Sequence, residues 1–288
     1  STLMRSSAAS DVYKRQDRDY PNYNFPVDLR TNVSGNGGVE PATFQNLLKF
    51  LEFQKTNNGM KLEKFEIGSN KQFTLKKDPK SYPGFEIRNI KSNNLLWTGK
   101  GKNTTPLFTK EELLAKNGKF NDNQMSTALV IKYGKFKYYA GGDNSGLVDQ
   151  DHAEWYDIET PMAPLVGKVS AMSLNHHSNR DATNRNFLDV LDPKVVVAQS
   201  WSPDHPGPEV GQRLLSGNVG TQKREIFMTY YHEETGIGIG PWFSRGVKAK
   251  EGHIVIRVYP DGKYDVYVLD SRKSNMTIVK KFGPYVSE

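Results

Sequence analysis

Apolar positions along this chain follow two periods, one helical and one strand-like, and they change over at turn residues. Phe44, Leu47, Leu48 and Leu51 fall at i, i+3, i+4 and i+7, one face of a helix that opens near Pro41, after the loop 33–38, and closes at Asn57-Asn58-Gly59. Residues 62–75, 85–90 and 94–98 read as short strands with turns between them. Thr109-Lys110-Glu111-Glu112 ahead of Leu113-Leu114 is a capping box and predicts a short helix. The runs 126–133 and 136–140 flank Gly134-Lys135 and predict a tight hairpin. Residues 153–159 predict a helix stopped by Pro161, 169–174 a buried strand, 186–191 a helix ended by Asp192-Pro193, and 194–199 a second buried strand. Strands follow at 226–231, 253–259 and 264–269, the last two joined by Pro260-Asp261-Gly262. Helix and strand alternate through the middle of the chain, which predicts a layered α/β fold.

Composition narrows the class. With 288 residues, 36% of them hydrophobic, the chain can bury a sizeable core, and 11% aromatic content excludes a disordered chain. No apolar run approaches the length of a bilayer span. The absence of cysteine excludes disulfides, thiolate zinc sites and cysteine nucleophiles. A net charge of +7 favours an anionic partner, a small molecule or a nucleic acid, and is equally well met by a solvated basic surface. Residues 1–16 have no period and no apolar face and resemble translated sequencing-adaptor sequence. They read as a non-native leader, with 17–288 as the domain.

The candidate chemistry gathers at two strand ends. Asp143 follows Gly141-Gly142, where glycines allow close approach of a ligand and leave the carboxylate pointing outward; an ordinary Gly-Gly-Asp turn has the same letters. Asn175-His176-His177-Ser178 follows the apolar run 169–174, and strand alternation would send one imidazole to each face of the sheet. Strand ends in consecutive α/β units converge on one edge of the sheet, where ligands bind. His205, Asp151 and His152 are candidates to line such a site from behind the ligands. Lys132, Lys135 and Lys137 interleave with Tyr133, Phe136, Tyr138 and Tyr139, a pattern that suits a nucleic-acid strand but more simply describes core aromatics and a solvated lysine face.

The span 121–213 resembles the later half of a metallo-β-lactamase-fold hydrolase, in the branch of the ComEC hydrolase domain. The resemblance is carried by Asn121-Asp122-Asn123 with Ser126, Leu129 to Gly134, Gly141-Gly142-Asp143, Asn175-His176-His177-Ser178, and Phe187 through Val197. It implies an αββα sandwich, one or two zinc ions (or manganese), and hydrolysis by metal-activated water at a phosphodiester or ester-like bond. It assigns Asp143 as the bridging ligand and His176 or His177 as the late histidine, with a slight preference for His176. The chain departs from the family at Asn179, where members often carry His-His-Gly-Ser. It also lacks the His-x-His-x-Asp-His motif, since its six histidines form no such pair. The expectation is therefore a metallohydrolase truncated on its N-terminal side and inactive by that loss. The alternative is a non-catalytic binding module of the same fold, for nucleic acid.

Overall fold

The computed structural model describes residues 14–31, 41–115, 121–148 and 152–288. The chain is mixed α/β. Strand β1 (Lys14–Asp17) pairs in parallel with β2 (Lys61–Lys64), and helix α1 (Pro41–Asn58) lies between them in sequence. Next come β3 (Glu86–Ser92), β4 (Leu95–Trp97), β5 (Thr104–Pro106), α2 (Lys110–Leu114), β6 (Ala128–Tyr133) and β7 (Phe136–Ala140). The middle of the chain alternates: α3 (Glu159–Val166), β8 (Ala171–Ser173), α4 (Arg185–Leu191), β9 (Val195–Ala198), α5 (Pro208–Leu215) and β10 (Glu225–Met228). Then follow α6 (Glu233–Ile239), α7 (Pro241–Gly246), β11 (Val247–Ala249), β12 (His253–Val258), β13 (Lys263–Leu269) and β14 (Ile278–Val286).

Nine strands form one mixed sheet in the order β11-β10-β9-β8-β7-β6-β3-β4-β5, parallel from β11 to β7 and antiparallel beyond. Strand alternation divides its side chains between two cores. Tyr139, Met172, Val196, Ala198, Ile226 and Met228 face α3, α4, α5 and α7, meeting Met162, Phe187, Leu188, Val210 and Phe243. Phe136, Ala171, Val195, Val197 and Phe227 face the other way, onto Tyr264, Val266 and Val268 of a three-stranded antiparallel sheet, β12-β13-β14. The layers run helix, sheet, sheet. Among the described residues no helix is long and apolar enough to cross a membrane.

Many elements stand where the apolar periods place them. Helix α1 ends at Asn58, Thr109 and Glu112 close the capping box, and Tyr133 pairs with Phe136 across a turn whose Gly134 has φ 57°. Two expectations need correction. The stretch 62–75 is strand only to Lys64, because it then turns at Gly68, whose backbone lies so near Gly101 that a Cβ would sit 2.7 Å from the Gly101 carbonyl. Pro161 does not stop a helix; it lies in the first turn of α3, where amides have no intrahelical acceptor and a proline costs little. Lys14 to Gln16 belong to β1, held by the ladder to Lys61–Lys64 and by Lys14 Nζ to Glu63, 2.8 Å; residues 1–13 lie outside the described residues.

Candidate functional site

The site lies at the C-terminal edge of the parallel strands, where the loops after β7, β8 and β9 meet. After β7, Gly141 has no room for a side chain: a Cβ would overlap the Tyr139 hydroxyl and Asn175 Oδ1. Gly142 turns the chain at φ 58°, and the Asp143 amide donates to Ser126 Oγ at 3.1 Å. The Gly142 carbonyl accepts from the His176 amide at 3.0 Å, which joins this loop to the next.

Strand β8 stops at Ser173, so the histidines do not alternate across the sheet as the apolar run implies. They occupy a 3-10 turn, Asn175–Ser178, in which His176, His177 and Ser178 are all left-handed, with φ 46°, 54° and 71°. Side chains with a Cβ resist this region by about 1–2 kcal/mol each, and such strain concentrates at functional sites. The turn keeps the two rings apart, with centroids 6.4 Å from each other.

Hydrogen bonds distinguish the two histidines. His176 Nδ1 lies 2.6 Å from Asp181 Oδ1 and its Nε2 lies 3.0 Å from Asn123 Nδ2, so both ring nitrogens are engaged. Burial works to depress its pKa, but the Asp181 carboxylate outweighs burial and raises it. His177 Nδ1 lies 2.8 Å from the Gln199 carbonyl. A carbonyl only accepts, so Nδ1 carries the proton, and in the neutral ring Nε2 keeps its lone pair. That Nε2 stands 3.3 Å from Asp143 Oδ1. Burial pushes the Asp143 carboxyl up, yet the His177 contact and the nearby imidazoles bring it below its ordinary value.

The pair fits a metal ion at two positions. Ligand atoms about 2.0–2.1 Å from a tetrahedral zinc stand about 3.3 Å from one another, and a ligating histidine commonly donates its other N–H to a carbonyl or carboxylate. His205 is next to it: its ring stacks on His177 at 5.3 Å between centroids, with Trp201 edge-on to both. His205 is buried, and its Nδ1 has no hydrogen-bond partner. Burial lowers its pKa against the pull of Asp204. Among the described residues, no three His, Asp or Glu side chains stand close enough together to hold a metal ion.

The remaining expected residues lie further off. His152 stacks on Tyr156 at 3.9 Å, and Tyr156 OH donates to Asp181 at 3.0 Å, a chain of contacts that links His152 to the site. Asp151 lies outside the described residues. In the lysine hairpin, Phe136 and Tyr139 are core, and Lys137 Nζ donates to the Val166 carbonyl at 2.7 Å. The aromatics that would stack on bases are therefore mostly taken up in packing.

Asn123, Ser126, Asp181, Gln199 and Trp201 complete the site without having been singled out as site residues. Asp181, in the same loop as the histidines, is a signal the letters carry; the Gln199 contact is backbone and leaves none. Behind the loop holding Asn123 and Ser126, Lys91 is fully buried and donates to the carbonyls of Gln124 and Ser126. Burial drives its pKa well down. The sequence matches no protein-family model and no curated protein.

Proposed function

We propose that this chain carries part of the metal site of a metallohydrolase of the metallo-β-lactamase superfamily, acting on a phosphodiester or ester-like bond. The observation that carries this reading is the Asp143 Oδ1 to His177 Nε2 separation of 3.3 Å, with the His177 tautomer set by the Gln199 carbonyl. The resemblance of 121–213 to that family points the same way. Asp143 and His177 would hold the ion, and His205, with its unpartnered Nδ1, is the nearest further donor. His176, preferred slightly on resemblance, takes a supporting role because Asp181 and Asn123 occupy both its nitrogens. When bound, zinc or manganese supplies Lewis acidity and activation of water near neutral pH.

Two ligands fall short of the three protein ligands of a catalytic zinc. The expected outcome is therefore weak zinc binding and little turnover of bis(4-nitrophenyl) phosphate by this chain. His177→Ala should weaken zinc binding at least tenfold, and His176→Ala less. Isothermal titration with zinc and a turnover assay check this. Near-stoichiometric tight zinc with robust turnover would overturn the partial-site reading. Binding that is absent even at millimolar zinc would overturn the metal reading and favour a non-catalytic module.

A further inference from the structure

Glu159 lies behind the Asp143–His177 pair, in the first turn of α3, with no exposed surface. Its Oε1 accepts from Asn175 Nδ2 and from the Thr183 amide, each at 2.7 Å, and its Oε2 accepts from the Asn184 amide at 2.6 Å. These donors bracket the segment that carries His176, His177 and Asp181. On its other side the carboxylate fills the space beside Gly146, where a Cβ would overlap Oε2. Gly146 lies three residues after Asp143 in the same loop. Its amide donates to the Asp181 carbonyl at 2.8 Å, and its carbonyl accepts from Asn184 Nδ2 at 2.7 Å. The two site loops thus meet around one buried carboxylate.

We propose that Glu159, seated against Gly146, is a positioning residue that sets the spacing of Asp143 and His177 by holding their two loops in one register. Three donors converge on it, and only an ionised carboxylate accepts from all of them without a competing N–H or O–H. Burial pushes this carboxyl up to about 7, against the pull of the Asn184 amide, Asn175 and the Thr183 amide. Glu159 acts through Asn175, which precedes the left-handed turn and also accepts from the Tyr139 hydroxyl at 3.1 Å. The proposal rests on the metal-site reading for its purpose but not for its test.

The test is Glu159→Gln in the full chain, with two readouts: amide hydrogen exchange across residues 174–185, and the ring-nitrogen chemical shifts of His177. Exchange in that segment should rise at least tenfold while β8 and β9 stay protected. His177 should lose the signature of a single Nδ1–H tautomer. Gly146→Ala, which displaces the carboxylate without removing it, should reproduce both changes. Unchanged His177 shifts beside faster loop exchange would overturn the proposal, since Glu159 would then fasten backbone without reaching the site. Unchanged exchange would overturn it too. Should Glu159→Gln not fold, Glu159→Asp, which keeps the charge but draws it back by one methylene, is judged by the same two readouts. Zinc titration of the unaltered chain runs alongside: failure to bind ends the metal-site reading and leaves the tautomer result to decide this one.

Discussion

The two ends of the parallel strands carry charge in opposite ways. At the N-terminal end, Lys135, Lys137, Lys168 and Lys194 line a cleft of about 440 Å³ together with Asp192 and Glu288. Three of these ammonium groups are satisfied there. Lys137 donates to the Val166 carbonyl, Lys168 pairs with Glu288, and Lys194 donates to the Lys223 carbonyl at 2.9 Å, with Glu225 at 3.5 Å. At the C-terminal end, three successive residues are left-handed, a carboxylate oxygen faces an imidazole nitrogen at 3.3 Å, and a buried imidazole nitrogen lacks a partner. Natural chains relax local rules where function asks for it and satisfy them elsewhere. The difference singles out the C-terminal end as the candidate site more firmly than the count of charges does, because the opposite end is the richer in lysine.

The largest effect expected from disturbing this contrast is at Gly141. Gly141→Ala would drive a methyl group into Tyr139 and Asn175, at a cost of about 2–4 kcal/mol read from urea unfolding. Gly217→Ala, with nothing near its added methyl, is the matching control and should be close to neutral. Equal losses at the two positions would show that crowding at Gly141 does not set the cost. A smaller change of opposite sign is expected at Ser178, which is buried, left-handed at φ 71° and has an unpartnered hydroxyl. Ser178→Gly should raise stability by about 1 kcal/mol, and a loss would show that the turn is not strained. The smallest belongs to the other end. Lys168→Ala should leave the unfolding midpoint within error at both about 0.15 M and about 1 M salt, since exposed ion pairs contribute little.

How much of this was legible depends on the distance over which each signal acts. Helix α1, the Gly134 hairpin and the Thr109 capping box are local, and the apolar period or the turn residues state them outright. Asp143 and the histidine pair are equally visible, because Gly-Gly-Asp and His-His stand out after apolar runs. The sense of the turn 175–178 is not visible, since no glycine announces it; contacts from Glu159, Asp181 and Gln199 hold it from a distance. Helix α5 carries a readable signal in Pro208 at its start and Val210 and Leu214 one turn apart. Helix α6, with Gly236 and Gly238 inside it, has a weak local preference; it is capped by His232 and tied down by Thr235 donating to the Pro203 carbonyl at 2.8 Å. Strand β14 is exposed along most of its length and exists because β13 offers it an edge.

Lys91 gives the fold a thermodynamic signature of its own. In the unfolded chain its amine titrates near the ordinary lysine value, about 10.4, whereas in the folded chain burial holds it well below. Between those two values the unfolded chain binds the extra proton, so stability rises with pH across that window. Over the same window folding releases a proton to the solvent, and the heat of unfolding therefore includes the ionisation heat of whichever buffer exchanges it.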